Sequence, residues 1–183
     1  MKNSKLRTLT EGAVLTAAAL ALSYIKIPIG LGFGGFGGSV DLVMIPLIVF
    51  ALRRGCLWGL GAGLIFGTLK FFLAGGVAVN WQSMLLDYAV AYAFVGFAGI
   101  ARRSGKYWLC ALIGCVARFL VHFFSGITIY AILVPTEILG LVTGSAAIYS
   151  VLYNGTYMLP NTVLAVILCA LLKKPIEKIL KIK

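Results

Sequence analysis

The chain has 183 residues, of which 61% are hydrophobic and only 11% are charged, and its mean hydropathy is +1.03. These values exclude a soluble globular domain and leave room for about six membrane-spanning segments of roughly 20 residues each. The net charge of +11 does not require a nucleic-acid partner, because basic cytoplasmic loops next to anionic lipid headgroups account for it.

Apolar runs between Gly, Pro and charged residues predict six helices in chain order, near residues 9–25, 40–52, 55–73, 82–101, 107–131 and 145–172. Glu11 interrupts the first run and five more apolar segments follow, so we interpret this run as a retained helix and not as a signal peptide. We therefore expect an all-α integral membrane protein in which residues 1–183 form one compact bundle of six transmembrane helices.

The basic residues predict the orientation of this bundle. Most of them fall on one side of a six-helix arrangement, whereas Lys26 and Lys70 fall on or near the other side. Because Lys and Arg accumulate in short cytoplasmic segments, we expect both termini in the cytoplasm. Arg118 is the one basic residue left inside a predicted span.

Glycine recurs in two patterns with different meanings. In the third segment Gly55, Gly59, Gly63 and Gly67 form one smooth stripe, which predicts close approach of a neighbouring helix. The stretch "GLGFGGFGG" at 30–38 contains the spacing GxGxxG, but no βαβ unit surrounds it. We expect a flexible loop over the outer mouth of a binding site, or else a simple linker.

The four cysteines show no metal-ligand spacing, so we expect apolar packing and no metal site.

Polar residues inside predicted spans are expensive in hydrocarbon and indicate a cavity or a function. Three predicted helices carry such residues. The fourth helix has Asp87 and Tyr88, and the fifth has Arg118, His122, Ser125 and Tyr130. The sixth has Tyr149, Tyr153, Asn154, Tyr157 and Asn161. In one interpretation they satisfy one another, with Asp87 paired to Arg118 or to a protonated His122. In the other they bind a planar, cationic, hydrogen-bonding ligand, because aromatic faces and a carboxylate attract a cation while amides and hydroxyls orient it.

The segments "GGSVDLVMIPL", "LRRG", "LLDYAVAY", "RFLVHFFSG" and "IYSVLYNGTYMLPN" resemble the thiamine-specific substrate-binding (S) component of energy-coupling factor (ECF) transporters. The resemblance covers essentially the whole chain, in order and with matching spacing. It implies a six-helix protein of the bacterial plasma membrane that captures vitamin B1 from outside. It also implies partners, namely a transmembrane coupling subunit and two ABC-type ATPases.

The same resemblance implies site residues. The family's ligand-binding positions match Asp87, Tyr88, His122, Tyr130, Tyr149 and Asn154, and we keep Arg118 as a further candidate. Asp87 would face the thiazolium cation and accept a hydrogen bond from the aminopyrimidine. Some family members have Glu at the position of Asp87 and Trp at that of Tyr130. Their first-loop Trp has no clear match, and Phe33 or Phe36 is the nearest candidate.

The resemblance also implies a docking face on the first helix, where Ala13, Ala17 and Ala21 match a small-residue motif that meets the coupling subunit. Ordinary packing inside the bundle is the alternative for this stripe.

Three other functions remain as alternatives. An intramembrane serine protease is disfavoured, since the single His122 precedes Ser125 by three residues on one helix and no GxSG motif occurs. A self-sufficient secondary transporter or channel is a rival, although we detect no internal repeats or paired helix interruptions. An S component for another vitamin or a thiamine precursor is the third. We expect a non-enzymatic protein without a cofactor, and the absence of a Walker A motif places ATP hydrolysis in a partner.

Overall fold

The computed structural model describes residues 2–29, 38–129 and 136–180. Six helices make up most of this part, in the order α1 (Lys2–Leu22), α2 (Met44–Arg54), α3 (Cys56–Leu73), α4 (Trp81–Ser104), α5 (Tyr107–Ile129) and α6 (Ala146–Leu171). The predicted helices correspond to them one to one. A short amphipathic helix, α7 (Lys173–Leu180), follows α6 and was not predicted.

Four of these helices, α3 to α6, are long and apolar enough to cross a membrane. The 11 residues of α2 extend only about 16 Å, roughly half the hydrocarbon thickness of a bilayer. Helix α1 has 21 residues, but charged residues occupy much of its first half. Length and composition therefore identify a multi-pass membrane protein with four clear spans.

The all-α expectation missed two short antiparallel hairpins. Strand β1 (Ile27–Pro28) pairs with β2 (Ser39–Val40), and β3 (Thr136–Ile138) pairs with β4 (Leu141–Thr143). Leu139 and Gly140 turn the second hairpin, with φ of 53° and 76°. Strands of two or three residues are too short to produce a readable alternation of apolar and polar residues.

The charged end of α1 is fixed to α2 by a cluster around Glu11. Its carboxylate accepts a hydrogen bond from Arg54 Nε at 2.6 Å and forms an ion pair with Arg53 Nη2 at 2.8 Å. Arg7 Nε forms a longer ion pair with it at 3.4 Å. Helix α1 begins at Lys2 and not near residue 9 as predicted, because its first turns are polar and charged and so precede the apolar run. The basic residues of α1 and α2 thus lie at the same end of the bundle.

The glycine stripe packs against α4, as predicted. A Cβ added at Gly63 would collide with the backbone carbonyl of Tyr92, and one added at Gly67 would collide with that of Tyr88. Only hydrogen at these positions lets the two backbones approach so closely. The stripe therefore sets the position of the helix that carries Tyr88 and Tyr92.

Helix α4 changes its winding along its length. It begins with an α-helical turn capped by Asn80, whose side chain accepts a hydrogen bond from Ser83 N at 2.8 Å, and it becomes a π-helix over Leu85–Val90. The π-segment contains Asp87 and Tyr88, and short π-helical turns inside α-helices are frequent at functional sites. A short α-helical stretch and a 3-10 stretch, Val95–Ser104, complete the helix.

The hydrophobic core lies mainly between α2, α3, α4 and α5, and Ala19 of α1 and Ala165 and Cys169 of α6 also belong to it. It is built from fully buried side chains that include Met44, Leu47, Ile48, Phe66, Val95 and Cys110. Tyr92 belongs to this core and also to the wall of the polar cavity described below. The apolar core thus continues directly into the floor of that cavity.

Candidate ligand-binding cavity

A cavity with mixed polar and aromatic walls lies between α3, α4, α5, α6 and strand β2. Its empty space is about 640 Å³, counting the part that is open to solvent. Its walls include most of the polar residues that the sequence singled out, namely Asp87, Tyr88, Arg118, His122, Tyr149, Tyr153, Asn154 and Tyr157. Three predicted polar stripes therefore converge on one space.

Asp87 supplies a carboxylate to the cavity wall and is paired there with His122. His122 Nδ1 lies 3.1 Å from Asp87 Oδ1, and the two side chains are 6% and 17% exposed. The Nε2 atom of His122 is buried and has no hydrogen-bond partner among the described residues. Of the two pairings considered for Asp87, the structure shows the one with His122. A carboxylate held at a cavity wall can offset the charge of a bound cation.

Tyr88 uses its hydroxyl group to hold a neighbouring segment. The hydroxyl accepts a hydrogen bond from Val77 N at 2.7 Å and donates one to Val77 O at 3.1 Å. Its ring also packs edge-on against Phe71, with centroids 5.1 Å apart. Tyr88 thus fixes the connection between α3 and α4 where Val77 forms part of the cavity wall.

Arg118 lies against an aromatic face and not against a carboxylate. Its guanidinium carbon is 4.0 Å from the centre of the Tyr92 ring, a distance typical of a cation–π contact. The residue is 5% exposed, and its Nε and Nη1 atoms have no hydrogen-bond partner in the part of the chain that the structure describes. The alternative pairing of Asp87 with Arg118 is therefore not the one seen.

Three tyrosines of α6 form an aromatic wall at helical spacing. The rings of Tyr149 and Tyr153 are stacked, with centroids 5.7 Å apart and an interplanar angle of 3°. Tyr157 meets Tyr153 edge-on at 5.9 Å and His122 at 5.8 Å. Such a wall offers flat faces to a planar or cationic ligand.

Asn154 ties α6 to α5 from within the cavity wall. Its side-chain nitrogen donates to His122 O at 3.2 Å and to Ser150 O at 2.9 Å, and its oxygen accepts from the Tyr157 hydroxyl at 2.5 Å. These bonds occupy the amide and fix the positions of His122 and Tyr157. In this structure Asn154 therefore supports the wall.

Sequence reasoning missed a second charged pair in the same place, Asp41 and Lys70. Lys70 Nζ lies 2.8 Å from Asp41 Oδ2 and 2.6 Å from the Tyr92 hydroxyl, and both Lys70 and Tyr92 line the cavity. The sequence holds a signal for this pair, because Lys70 follows Gly67 by three residues and so shares the face of the glycine stripe that contacts α4. The basic-residue pattern predicts Lys70 on or near the non-cytoplasmic side, and the structure shows that it is also buried.

Some candidates lie elsewhere. Tyr130, Phe33 and Phe36 fall outside the described residues. Ala13, Ala17 and Ala21 are exposed on one face of α1, while Thr16 and Ala19 on the other face are buried. Within the described residues, no group of three His, Cys, Asp or Glu side chains comes together to hold a metal ion.

Several known proteins are similar to this chain over nearly its whole length. Residues 9–181 match the family model described as thiamine transporter protein. The chain is 30% identical to the thiamine transporter ThiT of Bacillus subtilis, covering 98% of this chain and 97% of that protein. It is 26% identical to the thiamine transporter ThiT of Lacticaseibacillus paracasei, covering 93% and 89% respectively.

A solved structure is also similar. ThiT from Listeria monocytogenes superposes with a TM-score of 0.81 at 27% identity, covering 97% of this chain and 98% of that one. These relatives are named as transporters and not as enzymes, which confirms the non-enzymatic interpretation, and they come from bacteria. With its apolar helices, the chain is a multi-pass protein of the bacterial cell membrane. The family-model match across nearly the whole chain establishes that this protein belongs to the thiamine transporter family.

Proposed function

We propose that this protein is the thiamine-binding S component of an ECF-type uptake transporter. The observation that carries the proposal is that Asp87, paired with His122, lines the same cavity as the tyrosines of α6, two of which are stacked. Thiamine joins a permanent cation to a flat, hydrogen-bonding aminopyrimidine, and each part finds a complement here. The carboxylate offsets the cost of removing the cation from water, and the rings take the flat faces.

The proposal gives each candidate residue a role, which the contacts of the described residues support. Asp87 faces the cationic ring and accepts from the aminopyrimidine, and His122 holds that carboxylate in place. Tyr149 stacks on the ligand rings, and the family resemblance implies the same role for Tyr130. Tyr88 and Asn154 act on the ligand through the wall that they hold together.

Arg118 differs from the other candidates because it brings a positive charge to the cavity. Its unpartnered Nε and Nη1 are buried donors, and leaving such donors unsatisfied is costly. In the bound state we expect them to donate to a ligand acceptor or to a water between ligand and wall. Arg118 then selects for a ligand with an acceptor at this end.

We further propose that all six helices α1 to α6 are embedded in the membrane with both termini in the cytoplasm. The basic residues Arg7, Arg53 and Arg54 gather around Glu11 at one end of the bundle, as the positive-inside bias requires for a cytoplasmic face. The short α2 fits inside the bundle, because seven of its residues are buried.

The outward alanine face of α1 is the proposed docking surface for the transmembrane coupling subunit. Ala13, Ala17 and Ala21 point away from the bundle, so packing inside the bundle does not explain their small size. Small residues allow another helix to approach closely within a bilayer. Two ABC-type ATPases joined to that coupling subunit would supply the energy for transport.

Uptake of labelled thiamine distinguishes this function from its main rival. The assay uses cells that express the chain with or without the shared coupling subunit and ATPases, and vesicles that contain the chain alone. An S component supports uptake only when the coupling module is present. Uptake by the chain alone would identify a secondary transporter or channel, and saturable uptake of a different vitamin would change the ligand.

A further inference from the structure

Asp41 and Lys70 form a second charged pair next to the cavity, apart from Asp87 and His122. Their side chains are 2% and 7% exposed, so the pair is almost fully removed from solvent. Lys70 lines the cavity, whereas Asp41 lies behind it and is absent from the lining. Asp41 can therefore affect a ligand through its charge and through its ion pair with Lys70, and not by direct contact.

Two cations meet at this wall, with Tyr92 between them. Lys70 Nζ lies 5.0 Å from the centre of the Tyr92 ring, and the Arg118 guanidinium carbon lies 4.0 Å from it. Asp41 is the one described carboxylate within 4.0 Å of either cation. The wall thus keeps two positive charges close to the space where a cationic ligand would sit, and Asp41 offsets that of Lys70.

Asp41 is held rigidly in that position. Its carboxylate accepts from Ser39 Oγ at 3.1 Å and from Val43 N at 3.3 Å, and its own backbone N–H donates to Asn161 Oδ1 at 2.9 Å. Asn161 Nδ2 in turn donates to Ser39 O at 2.7 Å. These bonds join β2 to α6 and keep the carboxylate facing Lys70.

We propose that Asp41 determines the selectivity of this cavity for a cation by neutralising Lys70. This inference rests on the proposed thiamine-binding function. With Asp41 charged, the Asp41 and Lys70 pair contributes no net charge beside the ligand. Without that charge, Lys70 becomes an uncompensated cation in a poorly screened wall and repels the thiazolium ring. Asp41 is a positioning and charge-balancing residue that does not touch the ligand.

The test compares two ligands of nearly the same shape. One is thiamine, and the other is its uncharged isostere, in which carbon replaces the quaternary nitrogen of the thiazolium ring. The measured quantity is the ratio of their affinities for the purified protein, thiamine over isostere, by calorimetric titration. Damage to the fold weakens both ligands alike and leaves the ratio unchanged, whereas a change in wall charge alters it.

We expect Asp41→Asn to lower this ratio on the order of tenfold, because Asn retains the shape and loses the charge. Lys70→Met should not lower it, and the double variant Asp41→Asn with Lys70→Met should restore the wild-type ratio. Glu177→Gln serves as the matched control, since Glu177 pairs with Lys173 on α7 and does not line the cavity.

Several outcomes would overturn the inference. An unchanged ratio in Asp41→Asn with both affinities reduced equally would make Asp41 a structural residue only. If that variant cannot be purified, a lowered ratio in Lys70→Met or in the double variant contradicts the inference by itself. Failure of the wild-type protein to bind thiamine is a separate result. It would refute the proposed function, and with it the inference about Asp41 that rests on that function.

Discussion

Replacing Asp87 by Asn tests the principal contact of the proposed site. The substitution keeps the shape of the side chain and an oxygen that can still bond to His122 Nδ1, which lies 3.1 Å away. It removes the negative charge that would face the thiazolium ring. Two unit charges about 4 Å apart interact by about 4 kcal/mol at an effective dielectric constant of about 20.

The exposure of Asp87 lowers this figure. Its side chain is 17% exposed, so solvent screens part of the interaction, and we expect a loss of about 2 to 4 kcal/mol in binding free energy. This corresponds to an affinity for thiamine lower by roughly 30-fold to 1,000-fold. Asp87→Glu keeps the charge and should retain most of the affinity.

Calorimetric titration of the purified variants with thiamine gives the result directly. The thermal unfolding temperature of each unliganded variant shows whether the fold is intact. An affinity for thiamine that is unchanged in a folded Asp87→Asn variant would refute the assignment of Asp87 as the counter-charge.

Three further predictions test other parts of the molecule. Tyr130→Ala should weaken thiamine binding by about 1 to 3 kcal/mol in a titration, while Tyr130→Trp is tolerated or improves it; equal damage from both would make Tyr130 a packing residue. Ala17→Trp should abolish labelled-thiamine uptake in cells that supply the coupling module but preserve the affinity of the purified protein, because Ala17 is exposed on α1 away from the cavity. Loss of both activities, or retention of both, contradicts the docking face. Gly63→Val should lower the thermal unfolding temperature strongly, because its side chain meets the backbone of Tyr92, whereas Gly61→Val, which meets nothing within 4 Å, should not. Similar unfolding temperatures for the two valine variants would contradict the close packing of α3 on α4.

The sequence predicted the helices well because their signal is local. Apolar runs, and the Gly, Pro and charged residues between them, identified six segments. The spacing of Gly59, Gly63 and Gly67 predicted the close contact of α3 with a neighbouring helix, which is α4. Helical spacing also placed Arg118 and His122 on one face of α5, and the structure finds both in the cavity wall. These features depend on residues three or four positions apart.

The missed features depend on how helices rotate against one another. Asp41 and Lys70 are 29 residues apart, and only the assembled bundle brings their side chains to 2.8 Å. Likewise, the apolar pattern of α4 contains nothing that distinguishes a π-helical turn from an α-helical one, yet that turn carries Asp87. The partner of a polar residue in a membrane bundle is set by these tertiary contacts, which one sequence does not contain.

The identity of the molecule that copurifies with the detergent-solubilised protein tests the central claim most directly. Mass spectrometry of the released ligand, followed by titration of the emptied protein with that ligand, measures both identity and stoichiometry. We predict thiamine, bound with one molecule per chain and lost from the Asp87→Asn variant. Recovery of a different vitamin, or an emptied protein that shows no saturable binding of thiamine, would contradict the account.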